Sequence, residues 1–385
     1  MEFNTESTYQ EYFSKAHDMV RKSVRDFIRK EVLPFIDDWE EAGEFPREIY
    51  KKAADVGILG MGYPEAYGGT PGDVFFQIAV SEELMRSTSG GFCAGLGSLN
   101  IALPPVLNLG TEDQKKKFVP PVLSGEKIAA LGITEPGGGS DVASIQTTAE
   151  HDGAHYIVNG SKTFITSGCR ADQLTCAVRT GGEGAHGISL MVIEAGTPGY
   201  STSEKLKKTG WWASDTAEIF FNNCRVPAAN LLGEENQGFY GIMMNFQAER
   251  LSLAVMANMT ARMALEEAIK YAKERKAFGK TLTGFQVNRH KLADMATLVE
   301  ASTEFTYRVA AKIGAGVDQI KEVSMAKNFA CDVSDKVTYD AVQLFGGYGY
   351  MRGYTVERLY RDNRILSIGG GTREIMNEII SRLMI

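Results

Sequence analysis

A proline followed by three glycines, Pro136 to Gly139, most constrains how this 385-residue chain can fold. Such a run cannot lie inside a helix or a strand, because proline removes a backbone donor and glycine weakens both structures. It predicts a loop whose backbone N–H groups are not shielded by Cβ atoms and can therefore approach a flat ring or a phosphate. Thr134 and Ser140 add hydroxyl groups at its two ends. A plain surface turn is the alternative that the glycines alone leave open.

The pattern of apolar residues changes twice along the chain. Residues 8–126 and 234–385 carry apolar side chains at helical spacing, whereas residues 127–233 hold short strand-like runs bounded by turn signals. These changes predict an α+β fold of three domains, 1–126, 127–233 and 234–385, with the β domain between two helical ones. The stretch 239–275 is expected to hold one long helix or two end to end.

Three short segments carry predictions about turns and loops. The dipeptides Asp152-Gly153 and Asn159-Gly160 are both typical of tight hairpins, so a turn is expected at each. The small-residue stretch 90–97 predicts a loop, which either lines a cavity or joins two core helices.

Two patterns that could suggest a binding site are rejected. The GxGxxG pattern of residues 182–187 leads into the apolar run 188–193 and not into a helix, which argues against a dinucleotide fingerprint. His151 and His155 have the spacing of two metal ligands on a helix, but the turn predicted between them argues against that helix. No metal site is therefore predicted.

Composition disfavours several classes of function. The net charge of −7, from 41 basic and 48 acidic residues, argues against nucleic acid as the main partner. No apolar run approaches the roughly 20 residues of a membrane span, and the polar segment 1–10 has no signal-peptide core. The five cysteines show no CxxC spacing, which predicts reduced thiols in a cytosol-like compartment, not a disulfide framework or a zinc site.

One carboxylate lies in an otherwise apolar helical stretch. Glu249 follows Phe246 and precedes Leu251 and Leu253. A carboxylate among such neighbours is either paired or used chemically. The adjacent Arg250 points about 100° away around the helix, so it need not be the partner. From the helical pattern alone, a structural ion pair and a catalytic role both remain open.

Over essentially its full length the chain resembles the acyl-CoA dehydrogenase family. Each motif is weak by itself, but together and in order they are specific. The resemblance implies an N-terminal helical domain, a middle β-barrel domain, a C-terminal four-helix bundle, bound FAD and a homotetramer built as a dimer of dimers. The motifs are 133–141 (ITEPGGGSD), 162–166 (KTFIT), 214–218 (SDTAE), 225–227 (RVP), 230–233 (NLLG), 275–279 (RKAFG), 285–286 (FQ), 343–349 (QLFGGYG) and 370–372 (GGT).

The resemblance also implies the FAD contacts residue by residue. Phe164 is expected against the isoalloxazine ring with Thr166 near N5, and stacking suits an aromatic side chain. Arg275 and Gln286 are expected to reach the FAD of a neighbouring subunit, where a guanidinium suits the pyrophosphate. The implied set is Leu131, Ile133, Thr134, Gly139, Ser140, Phe164, Ile165, Thr166, Arg275, Phe278, Gln286, Gln343, Leu344, Gly346, Gly347, Thr372 and Glu374.

The position of the catalytic base departs from the commonest arrangement in the family. Many members carry the glutamate directly before the Gly-Thr of the last motif, where this chain has Gly370. A subgroup that includes long-chain and isovaleryl-type dehydrogenases carries it on the first long helix of the C-terminal domain, where this chain has Glu249. We therefore expect Glu249 to be the base. The implied substrate contacts are Ser140, Tyr240, Gln247, Arg250, Gly369 and Gly370, with the Gly370 N–H on the thioester oxygen.

The implied reaction is FAD-dependent α,β-dehydrogenation of an acyl-CoA to the trans-2-enoyl-CoA, with electrons passed to an electron-transfer flavoprotein. The glycine pair 369–370 removes bulk beside the acyl chain, which suits a long-chain or 3-methyl-branched group. The expected location is the bacterial cytoplasm, or the mitochondrial matrix if the chain is a processed form. A dehydrogenase of carrier-protein-bound acyl thioesters is the alternative. A nucleic-acid-binding relative is disfavoured by the acidic charge.

Overall fold

The N-terminal region of the chain is helical, as its apolar spacing predicts. The computed structural model describes Tyr9 and residues 11–385; the rest of the polar segment 1–10, where no signal peptide is predicted, lies outside the described residues. The helices are α1 (Lys15–Phe27), α2 (Ile36–Ala42), α3 (Glu48–Asp55), α4 (Val74–Met85), α5 (Gly90–Leu96), α6 (Leu99–Ala102), α7 (Pro104–Leu109), α8 (Glu112–Phe118) and α9 (Pro120–Leu123).

The stretch 90–97, predicted as a loop, is mostly the helix α5, so that prediction was wrong. The Ser89 hydroxyl caps this helix by accepting a backbone N–H of its first turn at 3.0 Å. The glycines allow a close contact: a Cβ added at Gly90 would lie 2.2 Å from Trp211 Nε1, and one at Gly91 would lie 2.7 Å from the Trp211 backbone. Packing therefore overrides the low helix propensity of glycine here.

The middle region is a β domain with its own apolar core. Its strands are β1 (Ala129–Gly132), β2 (Thr148–Asp152), β3 (His155–Thr166), β4 (Gln173–Arg179), β5 (Ile188–Glu194), β6 (Tyr200–Thr202), β7 (Thr216–Pro227) and β8 (Leu231–Leu232). They form one eight-stranded sheet in the order β6-β7-β3-β2-β4-β5-β8, with β1 paired parallel to β4. The residues 182–187 lead directly into β5, as expected when the dinucleotide fingerprint was rejected.

Strand β3 shows one correct and one incorrect turn prediction. The turn at residues 152–153 is present and joins β2 to β3 as an antiparallel hairpin. The turn predicted at residues 159–160 is wrong, because β3 continues through both residues and only shifts its register against β7 there. Gly160 has a φ of +142°, and a Cβ added to it would lie 2.7 Å from Thr147 Cα. This glycine therefore belongs to a β-bulge packed against neighbouring backbone.

The C-terminal region is organised around one long helix. The stretch 239–275 holds a single helix of 37 residues, α10 (Gly238–Glu274). This helix packs against elements of all three regions, including α4, β5 and the later helices α11 and α12. The elements that follow it are β9 (Lys276–Ala277), β10 (Lys280–Thr281), α11 (Gln286–Gly314), α12 (Ile320–Phe345), α13 (Gly347–Tyr350), α14 (Thr355–Asn363) and α15 (Arg373–Arg382).

Two whole-chain features complete the description. Within the described part of the chain, no single helix is long and apolar enough to cross a membrane. One bent pair of segments, Gly90–Leu96 with Leu99–Leu109, meets the length and composition criteria when the two are taken together. All five cysteines are free thiols, of which Cys169 is partly exposed and the others are buried.

We predict that Gly160→Asn lowers the free energy of unfolding by about 2–4 kcal/mol, because it adds both overpacking and backbone strain. Gly153→Asn is the matched control, since Gly153 has a φ of +62° with nothing within 4 Å of an added Cβ. Asparagine tolerates that left-handed conformation, so the control should change the free energy of unfolding by less than about 1 kcal/mol. Urea unfolding of both variants measures the difference; equal effects would contradict the bulge.

Candidate active site

The glycine-rich loop is anchored to the end of strand β3. The Thr163 N–H donates to the Thr134 carbonyl at 2.9 Å. The Lys162 ammonium group donates to the Ile133 carbonyl at 3.3 Å and to Glu135 Oε1 at 2.7 Å. The loop and the strand end are therefore held as one unit.

The ion pair between Lys162 and Glu135 is buried, and the side chain of Lys162 is fully so. Glu135 also accepts the backbone N–H groups of Gln146 at 2.6 Å and Thr147 at 2.9 Å. Burial opposes ionisation of this carboxylate, but the Lys162 charge and these hydrogen bonds hold the pKa of Glu135 below its usual value. Glu135 therefore stays ionised, and its oxygens are well supplied with donors.

The loop itself is a tight turn with free hydroxyl groups at its ends. Glu135 and Gly138 exchange backbone hydrogen bonds at 3.1 and 3.0 Å. Gly139 lies against Thr134, where an added Cβ would come within 3.1 Å of Thr134 Cγ2. The hydroxyl groups of Thr134 and the exposed Ser140 donate no hydrogen bond within the part of the chain that the structure describes. They are available to a ligand beside the loop.

Phe164 presents its ring to solvent directly beside this loop. Its φ of +59° is rare for a non-glycine residue, and 69% of its surface is exposed. The strand register shifts between Lys162 and Ile165, so that Ile165 is buried and Thr166 pairs at the strand end. A flat apolar ring held out in a strained conformation suits a planar heterocycle lying over it.

A second group of the residues predicted to bind FAD lies at the far end of α10. The Arg275 guanidinium lies 6.0 Å from the centre of the Tyr348 ring, and Tyr271 stacks on Phe345 at 4.0 Å. These contacts bring Arg275 next to the turn after α12. Phe278 is 96% exposed. Exposed or partly exposed at this end are also Gln286, Gln343, Leu344, Gly346 and Gly347.

The third group contains the predicted base. Glu249 lies in the first third of α10, and its carboxyl group faces the turn that contains Gly370. A Cβ added at Gly370 would lie 3.4 Å from Glu249 Oε1 and 2.5 Å from Leu253 Cδ1. The helix carboxylate therefore lies next to the point from which a side chain at position 370 would start.

The surroundings of Glu249 favour its protonated form. Burial among apolar atoms raises the pKa of Glu249, and the positive charges of Lys327 and Arg250 offset this only in part. A carboxylate with a raised pKa takes up a proton more readily, which suits a general base.

The backbone turn beside Glu249 is built from glycine. Gly370 and Gly371 have φ values of +63° and +100°, which other residues rarely adopt. The buried Arg250 donates from Nε to the Gly370 carbonyl at 3.4 Å. Thr372 then caps α15 by accepting the Ile375 N–H at 3.3 Å. The Gly370 N–H itself has no hydrogen-bond acceptor among the described residues.

No role was predicted from the sequence for three charged residues at the site, namely Glu135, Lys162 and Lys327. Lys327 is fully buried on α12 and donates to the Gly369 carbonyl at 2.6 Å and to the Gly371 carbonyl. The sequence does indicate that Lys327 is buried, because this residue falls on the apolar stripe of its helix. The helical spacing does not indicate which groups the buried ammonium group contacts.

The remaining predicted residues lie around this core. Tyr240 is at the start of α10, 56% exposed, with its ring 6.3 Å from that of His186. Gln247 and Gly369 are partly exposed, and Glu374 is exposed at the start of α15. The structure therefore leaves these four residues partly or fully exposed, with Gln247 two positions before Glu249 and Gly369 next to Gly370.

Two surface cavities lie away from all of the predicted residues. One of about 180 Å³ is lined mainly by apolar side chains of α1 and residues 56–61, and one of about 410 Å³ lies beside β2 and Arg179. Within the described ranges, no three metal-ligating side chains come together. Neither of these two cavities is therefore the candidate site.

Comparison with known proteins identifies the family that has this arrangement. Models of the N-terminal, middle and C-terminal domains of acyl-CoA dehydrogenase match residues 14–126, 130–224 and 236–385 in that order. The chain belongs to the acyl-CoA dehydrogenase family. The resemblance predicted from the motifs is thereby confirmed, and members of this family are flavin-dependent oxidoreductases.

Relatives of this family cover almost the whole chain. An acyl-CoA dehydrogenase of Bacillus subtilis (strain 168) is 42% identical over 95% of this chain and 97% of its own length. The mitochondrial long-chain specific acyl-CoA dehydrogenase of Sus scrofa is 42% identical over 96% of this chain and 86% of its own. The crystal structure of a probable acyl-CoA dehydrogenase from Mycobacterium abscessus has a TM-score of 0.96 at 48% identity, covering 97% of this chain and all of that one. The predicted fold is confirmed.

Other members of the family have names that point to different substrates. The short-chain specific acyl-CoA dehydrogenase of Megasphaera elsdenii is 37% identical over 97% of both chains. A subunit of the caffeyl-CoA reductase–Etf complex of Acetobacterium woodii is 39% identical over 97% of this chain and 99% of its own. An acyl-CoA dehydrogenase from Bacillus anthracis, solved with FAD, has a TM-score of 0.92 at 33% identity, covering 97% of this chain and 67% of that one. Family membership alone therefore leaves the acyl group open.

We predict that Lys162→Met lowers the free energy of unfolding by about 3 kcal/mol, because it leaves the buried Glu135 carboxylate without its counter-charge. Lys51→Met replaces an exposed lysine and should change the free energy of unfolding by less than about 0.5 kcal/mol. Urea unfolding of the two variants tests this. An equally small effect at Lys162 would show that the pair does not hold the loop to β3.

Proposed function

We propose that this acyl-CoA dehydrogenase removes hydrogen from the α and β carbons of a fatty acyl-CoA thioester, with Glu249 as the base. The observation that carries the proposal is the 3.4 Å distance between Glu249 Oε1 and a Cβ added at Gly370. By the resemblance, these two positions are the alternative places of the base in the family. The carboxylate from α10 therefore lies beside the point from which a side chain at position 370 would start.

We propose that FAD is the cofactor, since the first group of residues fits a flavin. The exposed Phe164 ring offers a stacking surface, and Thr134 and Ser140 offer hydroxyl groups beside a loop that a ring can approach closely. Bound FAD supplies the acceptor for the β hydride. The other residues predicted to bind FAD keep that role as part of this proposal.

We propose that Glu249 takes the α proton and that the Gly370 N–H binds the thioester oxygen. The α proton of a thioester is weakly acidic, so the raised pKa of Glu249 helps to remove it. Negative charge then develops on the thioester oxygen, where a backbone N–H without another acceptor is well suited to stabilise it. Gly370 faces Glu249, so one bound thioester could meet both groups.

For the acyl group we propose a long-chain or 3-methyl-branched substrate. The support is the absence of side chains at positions 369 and 370, which removes bulk beside the acyl chain; a Cβ added at Gly369 would lie 3.6 Å from the Ile365 carbonyl oxygen. The long-chain relative at 42% identity is consistent with this choice. The alternative is an acyl group carried on a carrier protein, which would enter by the same exposed residues.

We further propose a homotetramer, a dimer of dimers, that passes electrons to an electron-transfer flavoprotein. The support for an oligomer is that Arg275 and the 96% exposed Phe278 lie at the far end of α10, where they could serve the FAD of another copy. The support for the acceptor is the relative named as part of an Etf complex. Five free thiols suit a reducing compartment, whether bacterial cytoplasm or mitochondrial matrix.

The proposal predicts which acyl thioesters bleach the flavin under anaerobic conditions. FAD-loaded protein is titrated with butyryl-, octanoyl-, palmitoyl- and 3-methylbutyryl-CoA while the absorbance is followed. Palmitoyl- or 3-methylbutyryl-CoA should bleach the wild-type protein. The Glu249→Gln variant should keep its FAD, should not be bleached, and should turn over about 10³-fold more slowly, because a general base accelerates a reaction by about that factor.

The control for this experiment is Glu267→Gln, a partly exposed carboxylate further along α10, which should behave as the wild type. Normal turnover by Glu249→Gln would refute the assignment of the base. Bleaching by carrier-protein thioesters but by no acyl-CoA would support the alternative substrate, and bleaching by butyryl-CoA alone would overturn the long-chain or branched assignment.

A further inference from the structure

The turn beside the proposed base is held by a buried lysine, Lys327. Lys327 is fully buried on α12, and its ammonium group donates to the carbonyls of Gly369, at 2.6 Å, and of Gly371. No carboxylate bonds to this ammonium group within the described part of the chain. Burying a charged group costs free energy unless the group is hydrogen-bonded or paired. Within the described residues, the hydrogen bonds of Lys327 go to these two carbonyls, so its role is to be sought in the turn.

The turn has a backbone hydrogen bond at its start, from the Gly369 N–H to the Ile365 carbonyl at 2.8 Å, but its glycine residues leave the part that follows conformationally free. Residues 369–371 have no side chains, and two of them adopt left-handed conformations. Glycine backbone has more freedom to lose on folding than any other, so an external anchor is needed to fix it. Arg250 contributes a long hydrogen bond of 3.4 Å to the middle carbonyl. Lys327 supplies the shorter hydrogen bonds, to the carbonyls of Gly369 and Gly371 on either side.

Fixing the Gly369 carbonyl also fixes the Gly370 N–H. The two belong to one peptide unit, and the described residues contain no cis peptide bond. In a trans peptide the carbonyl oxygen and the amide hydrogen point in opposite directions. The Gly370 N–H therefore points away from Lys327. A cation on the carbonyl oxygen also polarises the peptide and makes its N–H a stronger donor.

We propose that Lys327 is a positioning residue for the dehydrogenation: its ammonium group aims and strengthens the Gly370 N–H that binds the thioester oxygen. This inference rests on the proposed function, because it needs a thioester at that N–H. A purely structural reading is that Lys327 only ties α12 to the turn before α15. The two readings differ in what happens to the carbonyl of a bound thioester.

The test uses FAD-loaded Lys327→Met with a ¹³C-labelled thioester carbonyl in the bound enoyl-CoA. Isotope-edited infrared spectra should show the carbonyl stretch moving back towards its frequency in free solution, because the hydrogen bond weakens. The kcat should fall by about 10²-fold, as it does when an oxyanion donor is lost, while KM changes by less than about threefold. Lys321→Met, which replaces a partly exposed lysine on the same helix that pairs with Glu322, is the control and should change neither value.

Lys327→Gln serves if Lys327→Met does not fold, since it keeps an N–H donor without the charge, and it should give the same two changes at smaller size. An unmoved carbonyl frequency in either folded variant overturns the inference, whether kcat is retained or lost. The charges of Lys327 and Arg250 also lower the pKa of Glu249, so removing Lys327 can shift the pH profile of kcat by that route alone. A shifted pH profile without the infrared change therefore counts against the inference. Failure of the wild-type protein to be bleached by any acyl-CoA would instead refute the proposed function.

Discussion

A side chain at position 370 would start between Leu253 and the carboxyl group of Glu249. A Cβ at Gly370 would already lie 2.5 Å from Leu253 Cδ1 and 3.4 Å from Glu249 Oε1. The overlap with Leu253 and the φ of +63° favour glycine at position 370. With glycine at 369 and 371 as well, the turn has no side chains and depends on neighbouring elements for its shape.

Both glycine-rich loops of the candidate site are held in the same way. Lys162 on β3 donates to the carbonyl of Ile133, and Lys327 on α12 donates to the carbonyl of Gly369. Each lysine is fully buried and each comes from a regular element next to the loop. Glycine residues offer only their backbone as a point of attachment, and a charge-assisted hydrogen bond to a carbonyl is a strong way to hold it. Lys162 has Glu135 as a counter-charge, whereas the only hydrogen bonds of Lys327 in the described residues are to carbonyls.

Much of the fold could be predicted because local patterns and packing agree. The long run without proline became α10, and the Asp-Gly turn at residues 152–153 became a hairpin. The predictions at 90–97 and 159–160 were wrong because glycine there serves contacts with Trp211 and Thr147, which are distant in sequence. A dipeptide or a run of small residues cannot reveal what will pack against it.

The candidate site could be predicted in part, from residue types in a known order. Glu249 was inferred from a carboxylate in an apolar stretch together with the missing one at position 370, and the structure puts these two positions side by side. Lys327 was missed because helical spacing shows only that a residue is buried. Its hydrogen bonds to residues 369 and 371, more than forty positions away along the chain, depend on the fold.

The central claim is that Glu249 removes the α proton of a thioester that is bound at Gly370. The most direct measurement uses an acyl-CoA whose β carbon is replaced by sulfur, so that it can lose an α proton but cannot give up a β hydride. The FAD-loaded protein is mixed with this compound in D₂O, and deuterium entering the α position is followed by NMR. We expect rapid exchange with the wild-type protein and none above background with Glu249→Gln. Equal exchange rates with the two proteins would contradict the account.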